Sequence, residues 1–288
     1  MSWVQVIATT WAEQAELLAD ELSQLGALAV TLVDGAEQPI YEPLPGTTPL
    51  WQCTQVVGLF PATTDGTSIY AQLQAWHPHI QQWQVQALAD RPWEQTEVQP
   101  LCFGHRLWIM PPNSVRPPHA IVVEMNPGQA FGTGTHPTTA LCLQWLDQAD
   151  LQQKQVIDYG CGSGILAIAA SKLGASKVFA VDHDPQAWTA TQRNADHNGV
   201  ANGIECVQPA ALPPAAADII LANILANPLI ELAPHLLRCL KPTGTLVLAG
   251  LLTSQIEAVT AAYRPYLQMK PPVIQEDWVR LEGSGYEQ

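Results

Sequence analysis

The chain has 288 residues, twice the ~150 residues that are typical of one domain, so two domains are expected. Hydrophobic residues make up 47% of it, which excludes a wholly disordered chain. Its 12 Lys and Arg residues against 26 Asp and Glu give a net charge of −14, which disfavours a nucleic-acid-binding protein, because such a protein needs a basic surface.

The first 90 residues predict a small domain of strands and helices. Residues 3–8 alternate in the manner of a strand, and Thr10 with Glu13 fits the capping box of a helix that Gly26 ends. The same reasoning places strands at residues 27–33, 51–60 and 82–89 and a second helix at residues 68–76. The order strand, helix, strand, repeated twice, is typical of a ferredoxin-like α+β domain.

Charge is distributed unevenly between this segment and the rest of the chain. Residues 1–90 contain nine acidic residues and no lysine or arginine, whereas the remaining 198 residues hold 12 basic and 17 acidic residues. The first third therefore carries −9 of the net charge of −14. A purely acidic surface suits a basic partner, although it would serve solubility equally well.

Cysteine usage and the lack of targeting patterns predict a cytoplasmic protein. The six cysteines are widely spaced with no Cys-x-x-Cys pair, so neither a zinc site nor a disulfide framework is indicated. The first ten residues lack the positive flank of a signal peptide, and no apolar run approaches the ~18 residues of a membrane span. We therefore expect no metal site and no contact with a membrane.

A proline-rich segment separates the first domain from a second one. Prolines cluster between residues 91 and 120, which predicts a linker and short irregular strands. Regular alternation of strands and helices begins near residue 155 and is typical of a parallel, doubly wound sheet. We therefore predict domains at residues 1–90 and 102–288, joined by a linker at residues 91–101. Strands are expected at residues 156–159, 177–182, 204–207, 218–222 and 245–250, and helices at residues 165–173, 185–198, 228–240 and 254–263.

A glycine-rich turn near the start of the second domain predicts a ligand site. Residues 158–164 read Asp-Tyr-Gly-Cys-Gly-Ser-Gly directly before a helix, so Gly160 and Gly162 let the backbone approach a ligand at the carboxyl edge of the sheet. Asp182 ends the next strand, 22 residues after Gly160, where a carboxylate binds both hydroxyls of a ribose. Together these features predict an adenosine-containing cofactor rather than an ordinary tight turn.

Two classes of adenosine-containing cofactor fit this turn. Gly162, Gly164 and Ala167 match the permissive dinucleotide fingerprint, but Asp158 would face the pyrophosphate of a dinucleotide and repel it. S-adenosylmethionine has no phosphate, and the ammonium of its methionine end would be attracted by that acid. S-adenosylmethionine is therefore the preferred cofactor.

Two more segments are expected at the same edge of the sheet. Residues 131–139 form a glycine- and hydroxyl-rich turn with Pro137 as the first residue of a helix, and they lack the lysine of a phosphate loop. Asn223 follows an apolar strand, and we predict that its side-chain carbonyl accepts a hydrogen bond from a substrate amine. His136 is the nearest candidate for a general base, but we expect it to cap or pack the helix instead.

Together these motifs resemble those of the bacterial ribosomal protein L11 methyltransferase family. The resemblance rests on residues 131–139, 158–164 and 223–226, of which the first segment is the most diagnostic, and it extends over nearly the whole chain. Further matching stretches are residues 3–5, 42–46 and 103–109. One region differs, because the chain lacks a second Trp and several residues of the family pattern after Trp93, which affects the linker geometry only.

The resemblance implies a fold, an activity and a set of site residues. It implies a small N-terminal domain that recognises the ribosomal protein, a mobile linker and a Rossmann-like class I methyltransferase domain. It also implies transfer of methyl groups from S-adenosylmethionine to lysine ε-amines and the N-terminal α-amine of ribosomal protein L11, up to trimethylation. The family's cofactor contacts fall on Thr139, Gly160, Asp182 and Asn223.

Three alternatives stay open at this point. The chain could methylate another basic protein, although the lack of an aromatic residue after Asn223 speaks against the Asn-Pro-Pro-Tyr pattern of enzymes that methylate glutamine and DNA amines. It could also be a nucleotide-binding dehydrogenase or a catalytically silent adenosine-binding module. Binding of S-adenosylhomocysteine rather than NAD would separate these, and none of them predicts direct nucleic-acid binding.

Overall fold

The computed structural model describes residues 3–36, 38, 40, 47–88, 99–125 and 136–286. The chain forms two compact units, Met1–Thr96 and Glu97–Gln288, each of which is described by itself. The domain limits predicted at residues 90 and 102 stay predictions, because residues 91–98 lie outside the described ranges. Residues 42–46 and 131–135, which belong to the family resemblance, also lie outside them.

The first unit is a four-stranded antiparallel sheet with two helices. Its elements are β1 (Trp3–Trp11), α1 (Ala12–Gln24), β2 (Ala29–Asp34), β3 (Cys53–Pro61), α2 (Gly66–Trp76) and β4 (Gln82–Leu88). The strand order in the sheet is β2-β3-β1-β4, with all neighbouring strands antiparallel. This arrangement confirms the ferredoxin-like domain that the sequence predicts.

Both helices cover the same face of this sheet. Leu18 and Leu22 of α1 are fully buried in one cluster with Leu73 of α2 and with Val6 and Val56 of the strands. Alternate strand residues point to opposite faces, so the residues between these buried positions face away from the helices. Those residues are uncharged in all four strands, and several of them are glutamines. The acidic residues of α1 are therefore on the helix side of the unit.

The capping box expected at the start of α1 is wrong. Thr10 belongs to β1, where it pairs with Thr54 of β3 and is only 2% exposed. The N-cap of α1 is Trp11, which makes no side-chain capping hydrogen bond. All nine residues of β1 pair with β3, and this long pairing outweighs the local preference of Thr10 for a cap.

The second unit contains a small sheet, a large sheet and six α-helices among the described residues. The small sheet consists of β5 (Leu101–Phe103), β6 (Leu107–Met110) and β7 (Ile121–Glu124), followed by α3 (Pro137–Gln148). The strands of the large sheet are β8 (Gln155–Tyr159), β9 (Lys177–Val181), β10 (Ile204–Val207), β11 (Ala217–Asn223), β12 (Leu240–Leu252), β13 (Leu267–Met269), β14 (Val273–Gln275) and β15 (Trp278–Gly285). Its helices are α4 (Ile165–Lys172), α5 (Pro185–His197), α6 (Ala226–Glu231), α7 (Ala233–Cys239) and α8 (Ile256–Tyr263). None of the helices in the described ranges is both long and apolar enough to cross a membrane.

The large sheet has the doubly wound order that positions a ligand site. Its strands lie in the order β10-β9-β8-β11-β12-β15-β13, and β14 pairs with β15. Strands β8 to β12 are parallel, whereas β15 is antiparallel to β12. This confirms the predicted Rossmann-like sheet. The strand order reverses between β8 and β11, and ligands bind at the carboxyl ends of the strands at such a reversal.

The last part of the chain differs from the sequence prediction in three places, the first being β12, which is expected over residues 245–250 and extends over Leu240–Leu252. The helix expected over residues 228–240 is divided into α6 and α7. Pro234 has no N–H to donate to the carbonyl of Ile230, so a continuous helix would lose a hydrogen bond there. Strands β13, β14 and β15 are not predicted from the sequence; β13 and β14 have only three residues each, too few to show a periodicity.

The carboxylate of Asp147 joins α3 to the turn between β5 and β6. It accepts hydrogen bonds from the N–H groups of His105, Arg106 and Leu107, at 2.7, 3.2 and 3.0 Å. The side chain of Asp147 is 1% exposed. A Cβ at Gly104 would lie 2.2 Å from Oδ2 of Asp147, so only glycine fits at the start of this turn. The small sheet is thereby fixed to α3.

Candidate active site

A glycine-rich turn joins β8 to α4 and is held against the end of β9. The N–H groups of Gly160 and Cys161 donate to the carbonyl of Val181, at 2.8 and 3.0 Å. The N–H of Gly164 donates to the carbonyl of Cys161 at 2.7 Å and closes the turn at the start of α4. Gly160, Gly162 and Gly164 all have positive φ, which side chains disfavour, so the shape of the turn depends on these glycines.

Asp182 lies directly beside the turn, as the sequence predicts. It follows β9, and its Oδ2 accepts a hydrogen bond from the N–H of Gly162 at 3.2 Å. Its Oδ1 accepts from the N–H of Asp184 at 3.1 Å, so backbone contacts fix both carboxylate oxygens. Each carboxylate oxygen has a further lone pair, which suits a second hydrogen bond from a ribose hydroxyl.

Two residues of α5 also support the turn, and neither is predicted from the sequence. Thr191 donates through Oγ1 to the carbonyl of Gly162 at 3.1 Å, and Asn194 donates through Nδ2 to the carbonyl of Ser163 at 2.8 Å. A Cβ at Gly164 would lie 2.7 Å from Cγ2 of Thr191, so the helix packs directly on the turn. Thr191 and Asn194 share one face of α5, but their spacing in the sequence does not show which segment this face packs against.

Asp158 lies beneath the turn, which corrects the expectation that it faces a ligand. It is 1% exposed, and its Oδ2 accepts a hydrogen bond from the N–H of Ala167 in the first turn of α4, at 2.9 Å. Burial raises the pKa of Asp158 to about 7; the N–H of Ala167 opposes the rise, and the charge of Asp182 adds to it. Its carboxyl group therefore supports the start of α4 from inside rather than attracting the ammonium of a cofactor.

The hydrogen bonds of the turn distinguish the two classes of cofactor. A dinucleotide-binding loop uses free backbone N–H groups to bind a pyrophosphate. Here the N–H groups of Gly160, Cys161, Gly162 and Gly164 already donate to protein acceptors. These residues therefore fit S-adenosylmethionine, which brings ribose hydroxyls to the site but no phosphate.

The first turn of α3 meets the end of β11. Nδ2 of Asn223 donates to Oγ1 of Thr139 at 3.3 Å, and Thr139 is buried. The amide group is planar, so this bond turns the carbonyl oxygen of Asn223 away from Thr139. The structure thus brings together two predicted site residues that are 84 positions apart in the sequence.

His136 caps α3 and packs against the end of the large sheet. Its Nδ1 lies 2.8 Å from Oγ1 of Thr138 and accepts a hydrogen bond from the N–H of Thr138 at 3.4 Å. Its ring meets that of Trp278 edge-on, with the ring centroids 4.7 Å apart. Burial lowers the pKa of His136, and the charge of Glu276 opposes this effect. These contacts are the capping and packing role expected from the sequence.

The site places two kinds of hydrogen-bond acceptor at one edge of the sheet. Asp182 follows β9 and Asn223 ends β11, while the turn at Gly160 follows β8, which lies between those two strands. A carboxylate suits ribose hydroxyls, and an amide carbonyl suits an amine. The edge is therefore able to hold a nucleoside and an amine side by side. The individual roles of these residues stay predictions.

Comparison with protein families gives a match over almost the whole chain. The family model described as "Ribosomal protein L11 methyltransferase (PrmA)" matches residues 2–285. A relative named ribosomal protein L11 methyltransferase from Methylococcus capsulatus is 49% identical over 288 residues, which cover 98% of each chain. A relative of the same name from Nitrosococcus oceani is 47% identical over 291 residues, covering 98% of this chain and 99% of its own.

A solved structure is similar as well. The crystal structure of ribosomal protein L11 methylase from Lactobacillus delbrueckii subsp. bulgaricus has a TM-score of 0.61 and 31% sequence identity with this chain. The match covers 66% of this chain and 100% of the other. The sequence comparisons and the structural comparison agree with each other.

Proposed function

This chain belongs to the ribosomal protein L11 methyltransferase family, and from that premise we propose that ribosomal protein L11 is its own substrate. The acceptors are lysine ε-amines and the N-terminal α-amine, which receive up to three methyl groups each. The enzyme acts in the cytoplasm, where it meets ribosomal proteins as they are made.

The hydrogen bond between Asn223 and Thr139 is the observation that supports methyl transfer to an amine at this site, while membership of the family supports L11 as the substrate. This bond fixes the amide of Asn223 at the end of β11, beside the strand that leads into the glycine turn. In that orientation the carbonyl oxygen is available to an amine, while the nitrogen is engaged by the protein. A methyl acceptor at Asn223 and a ribose at Asp182 then lie on neighbouring parts of one sheet edge.

Methyl transfer to an amine requires a neutral nucleophile in a fixed orientation. S-adenosylmethionine supplies a methyl group that its sulfonium centre has already activated. A lysine amine has a pKa of ~10.4 and an α-amine one of ~8, so both are largely protonated in neutral water. A poorly solvated pocket disfavours the ammonium and lowers that pKa. The carbonyl of Asn223 is uncharged, so it orients the amine lone pair without strongly favouring the protonated form.

His136 is not an essential base in this scheme. Its Nδ1 is engaged by Thr138, and the burial that lowers its pKa keeps the ring neutral at neutral pH. A neutral imidazole of low pKa is a weak acceptor for the proton of a lysine ammonium. The proton therefore leaves to solvent before the amine is enclosed, and His136 holds the start of α3.

We assign recognition of the ribosomal protein to residues 1–90. Glu13, Glu16 and Asp20 are exposed on α1, and this segment has no lysine or arginine to pair with them. Ribosomal protein L11 is expected to be basic, so these acids attract it, and the attraction weakens as salt shortens the screening length. The face of the sheet that points away from the helices has no charged residues on its strands and serves this purpose less well.

Mass spectrometry of ribosomal proteins incubated with the enzyme and methyl-labelled S-adenosylmethionine tests the proposal. We expect label on L11, at lysines and at the N-terminus, in steps of one methyl group. Asp182→Ala serves as the control, because it weakens the cofactor site and leaves the rest of the chain unchanged. Label on a different basic protein, with none on L11, would favour the alternative of another protein substrate. Binding of NAD rather than S-adenosylhomocysteine in calorimetry, together with no label on any protein, would restore the dehydrogenase alternative.

A further inference from the structure

The residue after Asn223 is held between glycines of two neighbouring strands. Ile224 follows β11, which lies between β8 and β12 in the large sheet. A Cβ at Gly160, after β8, would lie 2.3 Å from Cγ2 of Ile224. A Cβ at Gly250, in β12, would lie 2.3 Å from the carbonyl oxygen of Ile224, 2.7 Å from its carbonyl carbon and 3.0 Å from its nitrogen. We call this arrangement of Gly160, Ile224 and Gly250 the Ile224 clamp.

Gly250 lies in a β-bulge of β12. Leu248 pairs with Leu281 of β15 and Leu251 pairs with Val279, so β12 has one more residue than β15 between these pairs. Gly250 has a φ of +88°, a backbone conformation that side chains rarely adopt. A bulge bends its strand without ending it, and here the bend lets the backbone of β12 approach the end of β11.

The contact at Gly250 is with main-chain atoms, which cannot rotate away as a side chain can. Ile224 also donates its N–H to the carbonyl of Ala249 at 3.2 Å, and Asn223 pairs with Ala249 in the register of β11 and β12. A Cβ at Gly250 needs at least 3.0 Å to the carbonyl oxygen of Ile224 instead of 2.3 Å, so the main chains of β12 and Ile224 would have to move apart there. Only one peptide separates this carbonyl from Asn223, so the movement reaches the amide that orients the substrate amine.

We propose that Gly250 is a positioning residue for methyl transfer, because its missing side chain lets β12 set the backbone of Ile224 and thereby the carbonyl of Asn223. Gly250 acts through Ile224 and does not touch the reacting atoms. The proposal rests on the proposed role of Asn223 as acceptor of the amine hydrogen bond. A misplacement of about 1 Å in an aligned group lowers a rate by roughly a hundredfold.

Gly250→Ala and Gly199→Ala, both made in the full chain, test this proposal. Gly199 has a φ of +69° and no atom within 4 Å of its Cβ position, so its replacement adds backbone strain without a clash. We expect both variants to lower the melting temperature. Only Gly250→Ala should lower kcat on L11, by roughly ten- to a hundredfold, while its affinity for S-adenosylhomocysteine stays within about threefold of the parent.

A double variant separates positioning from general damage. If Gly250 acts through Asn223, then Asn223→Ala alone and Asn223→Ala with Gly250→Ala have the same kcat, whereas independent effects multiply. A parent-like kcat in Gly250→Ala overturns the proposal, and so does full multiplication in the double variant. A loss of S-adenosylhomocysteine affinity as large as the loss of kcat overturns it too, because Gly250 would then shape the cofactor site.

Gly250→Asn tests the same contact if Gly250→Ala does not fold. Asparagine adopts positive φ more readily than alanine but still places a Cβ against the main chain of Ile224, and we expect it to lower kcat by about ten- to a hundredfold, with no further loss in the Asn223→Ala background. A parent-like kcat in Gly250→Asn then overturns the proposal. If the parent methylates L11 but the variants behave otherwise than expected, this inference alone fails. If the parent does not methylate L11, the proposed function fails and this inference fails with it.

Discussion

The acidic side chains of the two compact units differ in what they contact. Glu13, Glu16 and Asp20 of the first unit are exposed on one helix, in a segment that contains no lysine or arginine. Asp147 and Asp158 of the second unit are buried and accept hydrogen bonds from backbone N–H groups. The first set is open to a partner, whereas the second set holds turns and helix ends in place.

The difference shows that a net charge counts carboxylates but does not distinguish exposed carboxylates from buried ones, whose roles differ. The exposed acids contribute a field that acts over the screening length and depends on salt. The buried acids act only over the length of a hydrogen bond, and their effect on stability depends on the geometry of their contacts and on their own protonation. Substitution of exposed acids and of buried acids therefore distinguishes the two roles.

The largest expected effect is a pH-dependent gain in stability when Asp158 is replaced by Asn. The folded-state pKa of about 7 lies above the ordinary value of 3.8, so the native state binds the proton more tightly than the unfolded state. The contribution of Asp158 to stability is therefore lost as pH rises from about 4 to 7, by at most roughly 4 kcal/mol at ~1.4 kcal/mol per pKa unit. Asp158→Asn should remove this loss.

Urea unfolding of parent and variant at several pH values measures this difference. The free energy of unfolding of the parent should fall relative to that of Asp158→Asn between pH 4 and 7. The exposed Asp20→Asn serves as the matched control and should give a flat difference. A difference that instead rises with pH would mean that Asp158 is stabilised as the carboxylate.

The next effect is a loss of turnover in Asn223→Ala. The alignment of the amine is realised mainly in the transition state, so kcat on L11 should fall by about a hundredfold, or ~2.7 kcal/mol, while cofactor affinity falls much less. Asn227→Ala, at an exposed asparagine in α6, is the control and should match the parent. Assays of His136→Ala at saturating cofactor from pH 7 to 10 complete the test. If that variant loses activity that high pH restores, while Asn223→Ala keeps parent turnover, the two roles are reversed.

A slightly smaller effect is expected on cofactor binding in Asp182→Ala. Loss of a charge-assisted contact with a ribose should weaken S-adenosylmethionine binding by ~1.5–3 kcal/mol, roughly ten- to a hundredfold. Titration calorimetry of the variant measures the change, and Asp196→Ala, at an exposed acid of α5, is the control. Parent-like affinity in Asp182→Ala would mean that the ribose lies elsewhere.

The smallest effect belongs to the exposed acids of the first unit. Each exposed ion pair contributes ~0.2–1 kcal/mol, so Glu13→Gln, Glu16→Gln and Asp20→Asn combined should raise KM for L11 by about three- to tenfold without changing kcat. The salt dependence of KM should shrink with it. Asp196→Asn with Glu231→Gln removes exposed charge from the second unit and should leave KM unchanged. An unaltered KM in the triple variant would leave solubility as the use of these acids.

Local patterns in the sequence predicted the parallel sheet and the three places where the site is built. Carboxyl ends of parallel strands meet at one edge, so residues at the ends of three predicted strands had to be neighbours. Gly160, Asp182 and Asn223 are at those ends in the structure. The prediction needed only strand positions and the order of a doubly wound sheet, and no side-chain detail.

Contacts between distant elements could not be predicted in the same way. Thr191 and Asn194 support the glycine turn through a helix face whose partner the sequence does not identify. Asp158 shares its side of β8 with Val156, which packs in the α4 side of the core, but the expectation placed its carboxylate toward a ligand. The sequence predicts Gly250 as the end of a strand, because a glycine within a strand indicates a bulge only once the pairing partner is known.

The contact between Gly104 and Asp147 has a consequence for how the two positions vary among relatives. A methyl group at Gly104 alone would meet the carboxylate, and loss of the carboxylate alone would leave three N–H groups without their acceptor. Either substitution alone destabilises the turn, whereas simultaneous substitution of both residues allows the turn to be held by a different contact. Descendants are therefore expected to keep the pair or to replace it as a pair, so that two positions distant in the sequence are inherited as one.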